Sequence, residues 1–470
     1  MPVYGSDRIG SIQESDVAVR TATPNLFVQN LTRRSVFIVL SMSLLINAVM
    51  LFVVLPSLSQ FLSSRYNQKF MDQYDLIANN LAQGNGYRVE AYMSETMIRE
   101  PGYPLFLAMV FKIAGYHIEA ARLANLLLVL GIAPMMMRLT QRITADGVTA
   151  VIAIPLFLFY PGTLISEARG GIEIVFVFAV VLFLLVLHHA AEKRDLWRYF
   201  LAGLLLGLAV LVRSVVLAFP LFLLVYLLLT ANSARERLKQ VLRIAVLVLG
   251  TVVVMLPWIV RNYMLVQKLV PTATVAGISA HEGQCTCQHF SLDRDFYALE
   301  TEAGRERNEL ANRLGIPHKN TYYPTFYDPR DEVVYNKSLL KTVATEYRKD
   351  PALLVRCAAR NLFFNFWFLG RTWQATWLNV LVQVPFLLLA LGGVYLLWKR
   401  RLLRRMGIIL TFLVYMPAVH ALIIAHARHS MVVVPFLAMF ASVALVSLWR
   451  AQMPGGRGQV LRFLPSGISR

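Results

Sequence analysis

The sequence predicts an all-α polytopic membrane protein: a transmembrane helix bundle with helices in its extracytoplasmic loops and a small extracytoplasmic cap. Three observations predict it. First, the 470 residues are 57% hydrophobic and only 16% charged, whereas a soluble domain is closer to half apolar and a quarter charged. Second, apolar runs of about twenty residues recur, each long enough to cross the hydrocarbon. Third, the basic residues behind the net charge of +19 cluster at the ends of those runs, where they meet anionic headgroups and set orientation. That placement argues against nucleic acid as a partner.

The elements follow in chain order. Residues 1–34 are polar and aperiodic and read as a cytoplasmic tail. The first apolar run, Ser35 to Leu58, follows Arg33 and Arg34; it is too long for a signal-peptide core and lacks a small-residue cleavage site. A polar outer loop covers 59–117. Further spans are expected at about 118–137, 147–160, 170–190, 197–212, 214–230, 241–259, 377–398, 406–424 and 430–449, roughly ten in all. Arg138 and Arg142, then Lys193, Arg194 and Arg198, then Arg235, Arg237 and Lys239, then "WKRRLLRR" (398–405) and the tail from Arg450 fall on one side. Under the positive-inside rule that side is cytoplasmic, and both termini lie there. The resulting divisions are a bundle over 35–260, an outer loop or cap over 261–376, terminal helices over 377–449 and a cytoplasmic tail over 450–470. "PALLVRCAARNLFFNFWF" (351–368) suits a helix lying in the interface, with Arg356 and Arg360 one turn apart beside an aromatic face.

Charges near the hydrocarbon are costly, so each is a candidate for function. The predicted topology puts Asp72, Asp75 and Arg99 in the first outer loop, and Glu167 and Arg169 at the outer turn after "YPG". Arg213 and Arg261 stand at outer helix ends, while His426, Arg428 and His429 form the last outer turn. Carboxylates and arginines converging on one face suit an anionic lipid headgroup and a proton to be removed. In the cap, Cys285 and Cys287 form a C-x-C pair. With His281 and His289 they make four metal ligands on paper; the alternatives are free thiols, or a disulfide if the loop faces an oxidising compartment.

"YDLIANNLAQGNGY", "REPGYPLFLAMVFKIAG" and "AARLANLLL" resemble the first outer loop and second helix of the GT-C superfamily of membrane glycosyltransferases. The bacterial branch holding protein O-mannosyltransferase-like enzymes and aminoarabinose transferases is the nearest in pattern. "LLLGLAVLVRS" (204–214), "PWIVRNYMLVQKLVPTATVAG" (257–277) and "HARHSMVVVPFLAMF" (426–440) resemble further segments of that branch, with His429 where a Tyr is usual. Residues 281–345 match nothing in it.

The resemblance implies a GT-C-like bundle in a bacterial inner membrane. It also implies inverting transfer of a sugar from a polyprenyl-phosphate donor, such as undecaprenyl phosphate, at the extracytoplasmic face. The acceptor is a glycolipid, polysaccharide or protein. A carboxylate then removes the acceptor proton, guanidinium groups hold the leaving phosphate, and an apolar groove takes the prenyl chain. Carried over residue by residue, the base is Asp75 or Asp72, which follow or precede Tyr74 at a spacing the family does not usually use. Arg213, Arg428 and Arg261 are the phosphate ligands; Glu167, Arg99, His429 and Tyr74 orient the substrates. Two aspartates make a poor cage for an oxygen-seeking ion, so no metal cofactor is expected there. The competing readings are a lipid-linked-sugar flippase or transporter, which inverted repeats and mid-membrane helix breaks would mark, and a membrane scaffold.

Overall fold

The computed structural model describes residues 73–290, 296–319, 323–370 and 372–452, with some helical positions between 34 and 49. Asp72, the terminal tails and most of the expected first span lie outside the described residues.

The chain is almost entirely helical. In the first outer loop are α1 (Tyr74–Ala82) and α2 (Gly102–Ala114). The bundle continues with α3 (Ile118–Thr144), α4 (Gly147–Leu158), α5 (Pro161–Ala168), α6 (Ile172–Lys193), α7 (Leu196–Val212), α8 (Phe219–Leu229) and α9 (Ala234–Val266). Helices α10 (Ala276–Gln288), α11 (Phe296–Arg313), α12 (Pro329–Lys349), α13 (Pro351–Arg360) and α14 (Phe366–Phe368) build the cap, and α15 (Trp373–Lys399), α16 (Leu403–Ala421) and α17 (Val434–Gln452) complete the bundle. A small antiparallel pair joins His318–Lys319 to Thr325–Phe326.

Each expected span after the first is met by helix, but the roughly ten full-length crossings are not all there. Among the described residues, five helices are long and apolar enough to cross a membrane, or six if the bent pair α4 and α5 is one span. Among the shorter apolar helices, α7 and α8 are divided at a charged residue. The helix α7 stops at Arg213, whose backbone is extended (φ −146°, ψ 118°), and a 3-10 turn over Ser214–Val216 intervenes before α8.

Local chemistry starts the helices. The carboxylates of Asp146, Asp195 and Asp350 accept from the backbone N–H groups of Val148, Trp197 and Leu353, and the Ser233 and Thr372 hydroxyls do the same for Glu236 and Ala375. These caps satisfy donors that a helix start leaves open. Between helices, small residues allow close approach, as packing in lipid requires. A methyl group on Gly203 would collide with the Leu247 carbonyl, and one on Gly250 with the Phe200 carbonyl, so α7 and α9 cross backbone to backbone. The opposite side of α9 exposes Val248, Leu249, Val252, Leu256 and Val260, a stripe at helical spacing suited to lipid.

The expected basic loops gather at one end. Arg142 pairs with Glu192, Arg450 donates to both Asp146 carboxylate oxygens at 2.8 and 3.2 Å, and Arg400 donates to Ser447 at 3.2 Å. In the cap, Cys287 and Cys357 form a disulfide that ties α10 to α13, leaving Cys285 as a buried free thiol. The C-x-C pair is therefore divided between two fates. Residues 351–368 form α13, a π-helical turn over Asn361–Asn365, and α14; Leu353 and Cys357 face inward while Val355 and Phe363 are exposed.

The cap is locked to the first outer loop through Glu332 of α12. Its carboxylate accepts from the Thr96 hydroxyl, from the Met97 backbone N–H at 2.8 Å and from the Thr274 hydroxyl at 3.1 Å. Full burial nonetheless pushes this carboxyl up to about 7, against about 4.3 in an unfolded chain. The folded state thus holds the proton more tightly. The group's contribution to stability is fully present below the unfolded value and is lost as pH rises through about 7. The melting temperature of the purified protein should fall across that window, and Glu332→Gln should flatten the fall; an unchanged slope in the variant would assign it to other groups.

Candidate functional site

The site forms where sequence-distant segments meet at the end of the bundle that carries the cap. Residues 99–103, the "REPGY" turn, dock onto the C-terminal end of α7. Buried Glu100 accepts from the Ser214 hydroxyl at 2.6 Å and from its backbone N–H at 3.3 Å. Gly102 lies so close to α7 that an added Cβ would sit 2.7 Å from the Leu211 carbonyl. The flanking residues are thereby positioned: Arg99 on one side, Tyr103 on the other, Arg213 opposite.

Asp75 sits in the first turn of α1, is 7% exposed, and accepts a hydrogen bond from the Tyr116 hydroxyl at 2.8 Å through Oδ2. Burial and that carboxylate raise the Tyr116 phenol above its ordinary range, so it stays a donor. Asp75 and Glu173 both lie within Coulomb reach of the fully buried Tyr103, whose hydroxyl donates to the Gly170 carbonyl. Glu173, in the first turn of α6, faces Arg213 at 3.9 Å. The connection from the expected base to the expected phosphate ligand therefore runs Asp75, Tyr103, Glu173, Arg213.

Beyond Arg213 lies a histidine cluster. The rings of His420 and His426 are 4.7 and 4.8 Å from that of His429, and all three are buried. The 3-10 turn Ala427–Val433 holds His429 in place, since the His426 backbone N–H donates to its Nδ1 at 3.4 Å. Arg213 and Arg428 both lie within Coulomb reach of His429. On the cap side, the Arg99 guanidinium covers the Tyr74 ring at 4.9 Å and the Tyr323 ring at 4.3 Å. Arg307 approaches the same Tyr323 ring at 5.8 Å and donates to Glu282 at 3.2 Å, with both partners buried.

The structure thus brings Tyr74, Asp75, Arg99, Arg213, Arg428 and His429 into one region. Two expected residues have different surroundings. Arg261 donates to Glu95 at 3.0 Å and to the Thr96 carbonyl at 2.8 Å, and stacks on Trp258 at 4.8 Å. These contacts fasten the first outer loop. Glu167 is 1% exposed, and neither carboxylate oxygen has a hydrogen-bond partner among the described residues. Arg213 is paired with Glu173. Glu100, Tyr103, Tyr116, Glu173 and Arg307 were not singled out as site residues by the sequence. Glu173 had a signal, an acid between glycines and an apolar run, but it lies beside the equally suggestive Glu167.

Among the described residues, two groups have the donor atoms for a cation: Glu282, Glu300 and His426, all buried, and Cys285, His289 and Glu306. In the first, Arg307 already neutralises Glu282.

The fold is that of an all-α polytopic membrane protein, as the sequence predicted. Residues 99–260 match the family model described as dolichyl-phosphate-mannose-protein mannosyltransferase. No curated protein sequence matches the chain. The oligosaccharyltransferase of Archaeoglobus fulgidus in its apo form is similar in structure, with a TM-score of 0.50, 17% identity, and coverage of 91% of this chain and 52% of that one. The same organism's AglB in complex with an inhibitory peptide and a dolichol-phosphate gives 0.49 and 15% over 93% and 52% of the chains. ArnT from Cupriavidus metallidurans bound to undecaprenyl phosphate gives 0.34 and 16% over 86% and 80%. The chain spans about half the length of the oligosaccharyltransferases it matches.

The docking of Gly102 on α7 is open to a direct check. Gly102→Val should cost about 1–3 kcal/mol by overpacking and lower the melting temperature. Gly392→Ala, whose new methyl would meet only Ala444 at 3.7 Å, should be near neutral. Equal melting temperatures for the two variants would show that the turn does not rest on α7.

Proposed function

We propose that the protein is an inverting glycosyltransferase that moves a sugar from a polyprenyl-phosphate donor to an acceptor hydroxyl at the extracytoplasmic membrane face. The observation that carries this reading is the buried Asp75 carboxylate, held by Tyr116 in the same polar region as Arg213 and Arg428. Asp75 takes the proton of the acceptor hydroxyl as its oxygen attacks the anomeric carbon. The bond from that carbon to the phosphate oxygen breaks, and the leaving polyprenyl phosphate gains a negative charge. A single displacement inverts the anomeric centre. Arg213 and Arg428 stabilise the leaving phosphate, since fixed guanidinium groups act strongly on developing charge in a dry site. Glu173 positions Arg213, and Arg99, stacked between two tyrosine rings, orients the substrate.

The match of residues 99–260 supports this reading, because that stretch contains Arg99, Glu173 and Arg213. A relative that binds dolichol-phosphate and one that binds undecaprenyl phosphate agree with a prenyl carrier. The disulfide supports an extracytoplasmic cap, since such bonds persist in oxidising compartments, and the basic loops at the opposite end support cytoplasmic termini in a bacterial inner membrane.

Asp75→Asn should lower turnover by about 10²–10⁴-fold in liposomes supplied with polyprenyl-phosphate sugars, while native mass spectrometry still detects bound undecaprenyl phosphate. Arg213→Ala should instead lose that bound lipid. Wild-type turnover by Asp75→Asn would remove Asp75 as the base.

A further inference from the structure

The cap carries a side-chain cluster that the proposed transfer does not use. Along α10, His281, Cys285 and His289 recur every four residues, so they form one stripe on the helix. Facing the stripe is Glu306 of α11, with Oε2 3.6 Å from His281 Nε2 and Oε1 3.8 Å from His289 Nε2. The ligand atoms of Cys285, His289 and Glu306 all lie within 4.8 Å of one another.

We infer that Cys285, His289 and Glu306 form a binding site for a borderline-soft divalent cation, with zinc the ion of best fit, and that the ion clamps α10 to α11 within the cap. A thiolate, an imidazole and a carboxylate are donor types that zinc takes, its fourth position being open to water. Magnesium and calcium prefer six or more oxygens and suit the set poorly. Bonds of about 2.0–2.3 Å place neighbouring ligands of a tetrahedral zinc roughly 3.3–3.8 Å apart, so the cluster would close by about 1 Å on binding.

His281, one helical turn before Cys285, is only 5% exposed and has its Nε2 3.6 Å from Glu306, so it lines the cluster without being one of the three grouped ligands. An inert core is the ordinary place for a buried cysteine, but here the thiol lies against a carboxylate between two imidazoles. His289 and Glu306 are 38% and 34% exposed, which leaves a path for an ion to enter.

The location gives the site a role. Cys287, on the same helix, is already bonded to Cys357 of α13. Glu282, three residues before Cys285, and Arg307, next to Glu306, are the buried pair that meets the candidate site. A cation between α10 and α11 would therefore hold that pair in register from behind, as the disulfide does from the other flank. This inference does not depend on the proposed glycosyl transfer.

The test uses the full chain in detergent, purified without reductant so that Cys285 is the free thiol, and stripped with a chelator. Titration with Co²⁺ should produce a thiolate-to-cobalt charge-transfer band together with the strong visible bands of a tetrahedral ion. Zn²⁺ should displace both and raise the melting temperature. Cys285→Ser should lose the charge-transfer band, and His289→Ala and Glu306→Gln, at part-exposed positions that folding tolerates, should weaken Co²⁺ binding at least tenfold. A cobalt spectrum lacking the thiolate band would place the ion on oxygen and nitrogen ligands such as Glu282, Glu300 and His426, and would overturn the assignment. Equal affinity in wild type and His289→Ala would overturn it as well.

Discussion

The structure depends on a carboxylate that must not be left bare. Glu100 is buried at the rim of the bundle, where an unsatisfied charge is expensive, and its acceptors are met by the hydroxyl and backbone N–H of Ser214. That demand brings a turn from the first outer loop to the end of a helix more than a hundred residues later. Gly102 makes the approach possible, because α7 leaves no room for a side chain there. Three residues of the candidate site are next to this contact in the chain: Arg99 before Glu100, Tyr103 after Gly102, and Arg213 one residue before Ser214.

Charge pairing explains the rest of the layout. Arg213 faces Glu173, Arg307 faces Glu282, and Arg261 faces Glu95. Breaking a buried pair by deleting one partner costs several kcal/mol, so the Arg307–Glu282 pair, buried on both sides, resists rearrangement and keeps its guanidinium in a fixed orientation. Fixed charges are what a reaction that develops charge requires, since nothing then has to reorganise as the leaving group departs. Glu167 is the exception, a buried carboxyl with no hydrogen-bond partner among the described residues.

Much of this was legible in the sequence for simple reasons. Apolar runs of membrane length are visible in any single chain, and each expected span after the first is occupied by helix. Arg99, Arg213 and Arg428 stood out because a guanidinium beside an apolar run is rare. Arg261 stood out by the same rule, and its surroundings proved to be a loop contact. The rule detects that a charge is costly, not what the charge touches. The break between α7 and α8 was readable too, because Arg213 interrupts the two apolar runs where the structure ends α7.

The sequence by itself determined the helical class, the alternation of polar and apolar segments and the residue types available at each turn, because these depend on local hydrophobicity and spacing. Only the tertiary structure decided which charges pair. Glu173 rather than Glu167 faces Arg213, and Cys287 joins Cys357 while Cys285 stays among histidines. Such choices turn on distances between segments far apart in the chain, which are set when helices pack and small residues let their backbones approach.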